Sequence, residues 1–131
     1  MGGPSPAGPG TVDGRTTPAV LDAGVPVAGS SDWPCGPLDP LRGLHALTTR
    51  ATRRGRVVGA EERLTLREAL WVYTAGSAGA TGERALKGRI AVGQLADFAV
   101  LSEDVFARAD WLERTRVVST WVGGERVWAA G

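Results

Sequence analysis

Asp32 is the residue of this 131-residue chain whose type and setting best suit chemistry. It stands in Ser30-Ser31-Asp32-Trp33-Pro34, directly after the apolar run Val25-Pro26-Val27-Ala28-Gly29. A carboxylate just past the end of a buried strand can take up and return a proton, as a general base does. The same sequence, an aspartate followed shortly by proline, is also ordinary turn chemistry, in which the carboxylate serves only the loop. Spacing alone leaves both readings open.

Other kinds of site are largely excluded. There is one cysteine, Cys35, and one histidine, His45. An intramolecular disulfide is impossible, and a zinc site built only from His and Cys of one chain nearly so. A Cys35–His45 nucleophilic pair lacks a third group to orient the imidazole. Cys35 therefore reads as a small apolar residue and His45 as part of a helix face. Gly88 and Gly93 are spaced like the start of a P-loop, but no Lys-Ser/Thr follows Gly93. Arg42, Arg50, Arg53, Arg54 and Arg56 form a basic stretch with no acid between Pro40 and Ala60. Aromatic residues are not interleaved with them and Glu61-Glu62 follow, so the stretch reads as a solvated loop.

The elements that must position Asp32 can be read in order. Residues 1–17 are rich in Gly and Pro and read as a disordered lead-in. Pro18 to Gly24 is a short helical end stopped by Gly24. Val25–Ser30, apolar without alternation, fits a strand buried on both faces, with Pro26 near its start. Ser31 to Pro37 is a loop. Asp39 then caps a helix whose first position is Pro40, with Leu41, Leu44, Leu47 and Thr48 on one face. Thr65 and Glu68 form a capping box, followed by Leu66, Ala69, Leu70 and Tyr73 at helical spacing. Gly76, Gly79 and Gly82 break that helix into a second short turn. The last third is strand-like at Arg89-Ile90-Ala91, Asp97–Leu101, Val117–Val122 and Glu125–Trp128. Gly123-Gly124 marks a hairpin between the last two, and Asp97 orders the turn into its strand.

Composition bounds the partners. The 15 basic and 14 acidic residues give a formal net charge of +1, which weakens any case for nucleic acid or an anionic membrane as partner. No run approaches the roughly 18–20 apolar residues of a membrane span. Met1-Gly2-Gly3-Pro4 opens no signal peptide. A cytoplasmic location is expected.

Three pieces together carry a resemblance: Gly29-Ser30-Ser31-Asp32-Trp33-Pro34, the capped helix from Leu64 to Leu70 running into Tyr73–Ala78, and Lys87-Gly88-Arg89-Ile90-Ala91-Val92-Gly93-Gln94-Leu95-Ala96-Asp97-Phe98. From about Pro18 to Trp128 the chain resembles the C-terminal end of metal-dependent amidohydrolases of the amidohydrolase 3 (YtcJ-like) group. The resemblance implies an α/β fragment: the last β/α unit of a (β/α)8 barrel plus the C-terminal part of a small β-sandwich. Val25–Ser30 becomes the last barrel strand and the helix from Thr65 the last barrel helix. The implied division is 1–17 lead-in, 18–86 barrel segment and 87–131 sandwich strands. A complete barrel needs about 250 residues.

The same resemblance assigns chemistry. Asp32 becomes the aspartate that touches the catalytic metal, takes a proton from the attacking water and returns it to the leaving nitrogen. Trp33 and Pro34 become residues lining the substrate pocket. The implied cofactor is a divalent metal, zinc foremost, and the implied substrate a small amide-like molecule. The family's histidine ligands have no counterpart here, and Zn²⁺ wants about three protein ligands at a catalytic site. The isolated chain is therefore expected to bind no catalytic metal, to be inactive, and to associate with itself or with a missing N-terminal half. The contrasting expectation is a non-catalytic folding or interaction module, or a remnant of such an enzyme.

Overall fold

A computed structural model describes residues 17–52, 54–107 and 114–131. The expected lead-in 1–17 lies outside these residues apart from Thr17, which opens helix α1 (Thr17–Asp22). Gly24, at φ 71°, ends α1, and its N–H donates to Leu21 O at 2.9 Å. Helix α2 spans Pro40–Thr49, with proline in the first turn and Asp39 Oδ1 accepting from Leu41 N at 3.0 Å. Proline suits that position because its missing N–H would be unpaired there in any case. Arg50 closes α2 in the left-handed region at φ 57°.

A 3-10 turn (Ala60–Glu62) leads to helix α3 (Leu66–Trp71). The capping box is present: Thr65 N donates to Glu68 Oε2 at 2.7 Å and Glu68 N to Thr65 Oγ1 at 3.3 Å. The chain then widens into a π-helical turn, Val72–Gly76, before helix α4 (Ser77–Ala80). Leu41 and Leu44 of α2 pack with Leu64, Ala69, Val72 and Val105 as the buried core. Burying leucine-sized side chains in this way contributes about 1.5–3 kcal/mol each.

Three antiparallel strands follow in the order β1 (Phe98–Leu101), β2 (Val117–Val122), β3 (Glu125–Ala129). Gly123 and Gly124 connect β2 to β3 at φ 59° and 83°, a turn that two L-residues with side chains would resist. Phe98 pairs with Trp121 in the register, and their rings stack at 5.6 Å. Asp97 Oδ1 accepts from Gly123 N at 2.8 Å, so the expected turn-ordering role is real but serves the hairpin across the sheet. Leu101 packs on the helical core, and Arg67 of α3 lies over the Phe106 ring at 5.9 Å. These contacts join the sheet to the helices. Among the described residues no helix is long and apolar enough to cross a membrane.

Two expected strands are not strands here. Val25–Ser30 is extended but pairs with no strand among the described residues, and Val25 is 50% exposed. A strand is defined by its neighbour, and the contacts this segment has are to helices. Arg89-Ile90-Ala91 is likewise irregular and exposed.

Candidate functional site

Asp32 sits on the turn between the extended segment and α2, and helical groups hold that segment in place. Gly29 N donates to Val72 O at 2.8 Å. Ser77 Oγ donates to Gly29 O at 3.3 Å, and Tyr73 Oη to Ser30 O at 3.2 Å. The π-helical turn and the start of α4 thus supply the partners that a neighbouring strand would otherwise give. π-turns of this sort recur at functional sites.

Tyr73 sets how closely the layers approach. Its ring lies over Gly29 and its hydroxyl over Gly43 of α2; a Cβ at either glycine would overlap it. Burial pushes the Tyr73 hydroxyl above its usual pKa of 10.0. Glycine inside a helix costs about 1 kcal/mol relative to alanine. That local cost at Gly43 was the one sequence signal of a close approach, and periodicity reasoning passed over it.

The turn itself uses the backbone of Asp32 and spares its carboxylate. Asp32 N donates to Ser30 Oγ at 3.1 Å. Asp32 O accepts from Cys35 N at 2.7 Å and from Gly36 N at 3.3 Å. Among the described residues nothing donates to the Asp32 carboxylate, and the residue is exposed. An Asx turn would have tied the carboxylate to a backbone N–H two residues on. Ser30 makes the side-chain bond of this turn instead. Asp32 also holds φ 51°, a left-handed conformation that aspartate tolerates better than most residues.

Trp33 and Pro34 follow on the same exposed turn, joined by a cis peptide bond. They stand next to a cleft of about 690 Å³ but outside its walls. Ser30 and Ser31 from the turn, Arg42 and His45 from α2, and Thr115 and Arg116 before β2 line that cleft. Sequence reasoning did not connect residues 115 and 116 to this region, because more than sixty intervening residues hide the contact. Cys35 is a free, exposed thiol. No hydrogen bond joins it to His45. Of the basic stretch, Arg50 Nε donates to Val58 O at 3.1 Å and so braces the loop. Arg54 and Arg56 are exposed, and Arg53 lies outside the described residues.

Among the described residues, no three His, Cys, Asp or Glu side chains meet in an arrangement that could hold a metal ion. Asp32 belongs to no such group among the described residues.

The sequence model of the amidohydrolase family matches residues 3–128. The chain belongs to the amidohydrolase family. It is 40% identical over 91 residues to the putative amidohydrolase YtcJ of Bacillus subtilis, covering 67% of this chain and 17% of that protein. It is 36% identical over 107 residues to the N-substituted formamide deformylase of Arthrobacter pascens, covering 81% of this chain and 20% of that protein. The amidohydrolase chain thus spans a fifth or less of the length of these curated relatives. An amidohydrolase from Thermotoga maritima superposes with a TM-score of 0.67 at 21% identity, over 88% of this chain and 26% of that one. Guanine deaminase of E. coli gives 0.63 at 22%, over 87% and 30%. At these identities the two structures establish a shared fold: the helical layer and three-stranded sheet are those of a segment of an amidohydrolase.

Proposed function

We propose that this chain supplies the C-terminal portion of a hydrolase acting on C–N bonds other than peptide bonds, with Asp32 as its contribution to the reaction centre. The observation that carries the reading is the Asp32 carboxylate: presented on a turn that other groups hold together, and used by no contact of the fold. None of the described residues engages this carboxylate, so the turn leaves it available to an approaching molecule. The name of the Arthrobacter pascens relative, a deformylase of N-substituted formamides, supports amide-type C–N chemistry.

Asp32 acts in this reading as a base and then an acid. Its carboxylate takes a proton from the attacking water and delivers it to the departing nitrogen. Trp33 and Pro34, exposed beside it, give an apolar edge to the approach of a small amide-like substrate. The family's divalent metal, zinc foremost, needs ligands that the described residues do not bring together. Residues 18–86 form the barrel-derived portion and residues 87–131 the sandwich-derived portion, within a cytoplasmic enzyme.

A chimera tests this. The segment of the Bacillus subtilis relative that matches this chain is replaced by this chain, and hydrolysis of N-substituted formamides and simple amides is followed. Asp32→Asn keeps the turn, since asparagine also tolerates positive φ. It is expected to lower kcat by about 10²–10⁴-fold, the usual worth of a positioned acid–base group. Unchanged kcat in Asp32→Asn would overturn the assignment. A folded chimera inactive even with Asp32 intact would favour a non-catalytic module.

A further inference from the structure

The cleft beside the Asp32 turn carries positive charge that the described residues engage only weakly. Arg42 and Arg116 both line it. Arg116 is anchored through its backbone: its N–H donates to Ser102 Oγ at 3.1 Å and its carbonyl accepts from Ser102 N at 2.9 Å. Its guanidinium has no partner among the described residues. The ion pair of Arg42, with Asp39, is long at 4.0 Å and solvent-exposed. Among the described residues, Asp39 is the one carboxylate on the walls, and its Oδ1 is committed to capping α2.

Hydroxyl donors line the same cleft. Thr52 Oγ1 accepts from Arg56 N at 3.1 Å, which leaves its O–H free to donate. Ser31 contributes a second hydroxyl that the fold does not engage. Guanidinium is the cation best matched to the planar or tetrahedral oxygens of carboxylate and phosphate. A volume of about 690 Å³ is that of a small-molecule site.

We propose that this cleft is an anion subsite, in which Arg42 and Arg116, aided by the Ser31 and Thr52 hydroxyls, hold the carboxylate or phosphate group of a small molecule. The inference does not depend on Asp32, because it concerns binding and not hydrolysis. Failure of one reading leaves the other standing.

The test is a titration of the whole 131-residue chain. Inorganic phosphate, acetate and neutral acetamide are added separately while backbone amide resonances are followed by NMR. Phosphate or acetate is expected to shift the amides of Ser31, Gly43 and Thr52 saturably, and acetamide is expected to leave them unmoved. Arg116→Gln and Arg42→Gln are each expected to raise the apparent Kd about fivefold or more, as loss of a charge-assisted hydrogen bond does. Added KCl should weaken binding, because these charges are open to solvent. Arg54→Gln, at an exposed arginine that does not line the cleft, should change nothing.

Stronger binding of acetate assigns a carboxylate ligand, and stronger binding of phosphate a phosphorylated one. The absence of saturable shifts with either anion overturns the proposal. So does an equal loss in Arg54→Gln, which would mean diffuse surface attraction. Equilibrium dialysis with labelled phosphate and labelled acetate on the same variants gives the same decision if association broadens the spectra.

Discussion

Tyr73 shows how single residues govern the approach to Asp32. Its ring occupies the space that side chains at Gly29 and Gly43 would take, and its hydroxyl holds Ser30 O. Two effects compete in Gly43→Ala. Helix propensity favours alanine by about 1 kcal/mol, whereas overpacking against Tyr73 costs about 1–3 kcal/mol. The contact involves the end of a ring fixed on its other side, so the clash is expected to win. Urea unfolding should show a lower midpoint for Gly43→Ala, and a higher midpoint would refute the packing argument. Tyr73 also makes stability depend on pH. Burial raises its pKa, so the folded state holds the proton more tightly than the unfolded chain. That stability is fully present below the usual value of 10.0 and is lost as pH rises through the raised value. Tyr73→Phe is expected to remove this alkaline loss and to cost about 1 kcal/mol at neutral pH through the missing bond to Ser30. An unchanged alkaline limb in Tyr73→Phe would place the titration elsewhere. At this scale the sequence marked Asp32 and the loop it stands on. It did not show that Ser30 makes the turn's side-chain bond, because two neighbouring residues were equally able to do so.

Elements whose cause is local were the legible ones. The Asp39-Pro40 start of α2, the Thr65–Glu68 box and the Gly123-Gly124 hairpin each depend on residues within four positions of one another. Elements whose cause is distant were not. Val25–Ser30 has a strand's composition, yet its partners in other elements are helical: Val20 of α1 for Val25, and Val72, Tyr73 and Ser77 for Gly29 and Ser30. The π-helical turn that supplies two of those partners has no local signature in Val72-Tyr73-Thr74-Ala75-Gly76. The hairpin offers an element-scale prediction, because Asp97 ties β1 to the β2–β3 turn through Gly123 N. Asp97→Ala leaves that N–H without its carboxylate acceptor. The Gly123 amide should then exchange with solvent faster, while the amides of α2 keep their protection. Uniform acceleration across the chain would instead mean global destabilisation. Gly124→Val is expected to cost more than 1 kcal/mol, since a β-branched residue at φ 83° is strained.

The distribution of apolar surface decides behaviour at the scale of the whole molecule. The buried core is a handful of side chains around Leu44 and Val72. Outside it, Ile90 is 89% exposed and Val92 fully so, and Val122, Val127 and Trp128 of the hairpin are about half-exposed. Every residue of β3 is exposed. Apolar side chains in this number, several of them along one hairpin, exceed the scattered singles that a soluble surface normally carries. An open strand edge beside them favours pairing with another chain. The chain alone is therefore expected to bind an apolar dye such as ANS and to associate as concentration rises, measured by sedimentation velocity. Under the proposed reading, in which a larger enzyme covers the exposed side chains, coexpression with the remainder of a relative such as the Bacillus subtilis protein should lower the dye signal. Trp128→Ser together with Val127→Thr should reduce self-association without loss of the helical signal, since neither residue belongs to the core. A monomer at all concentrations that binds no dye and unfolds in one sharp transition would show that the small core around Leu44 and Val72 suffices, and that the exposed face of the hairpin has no partner.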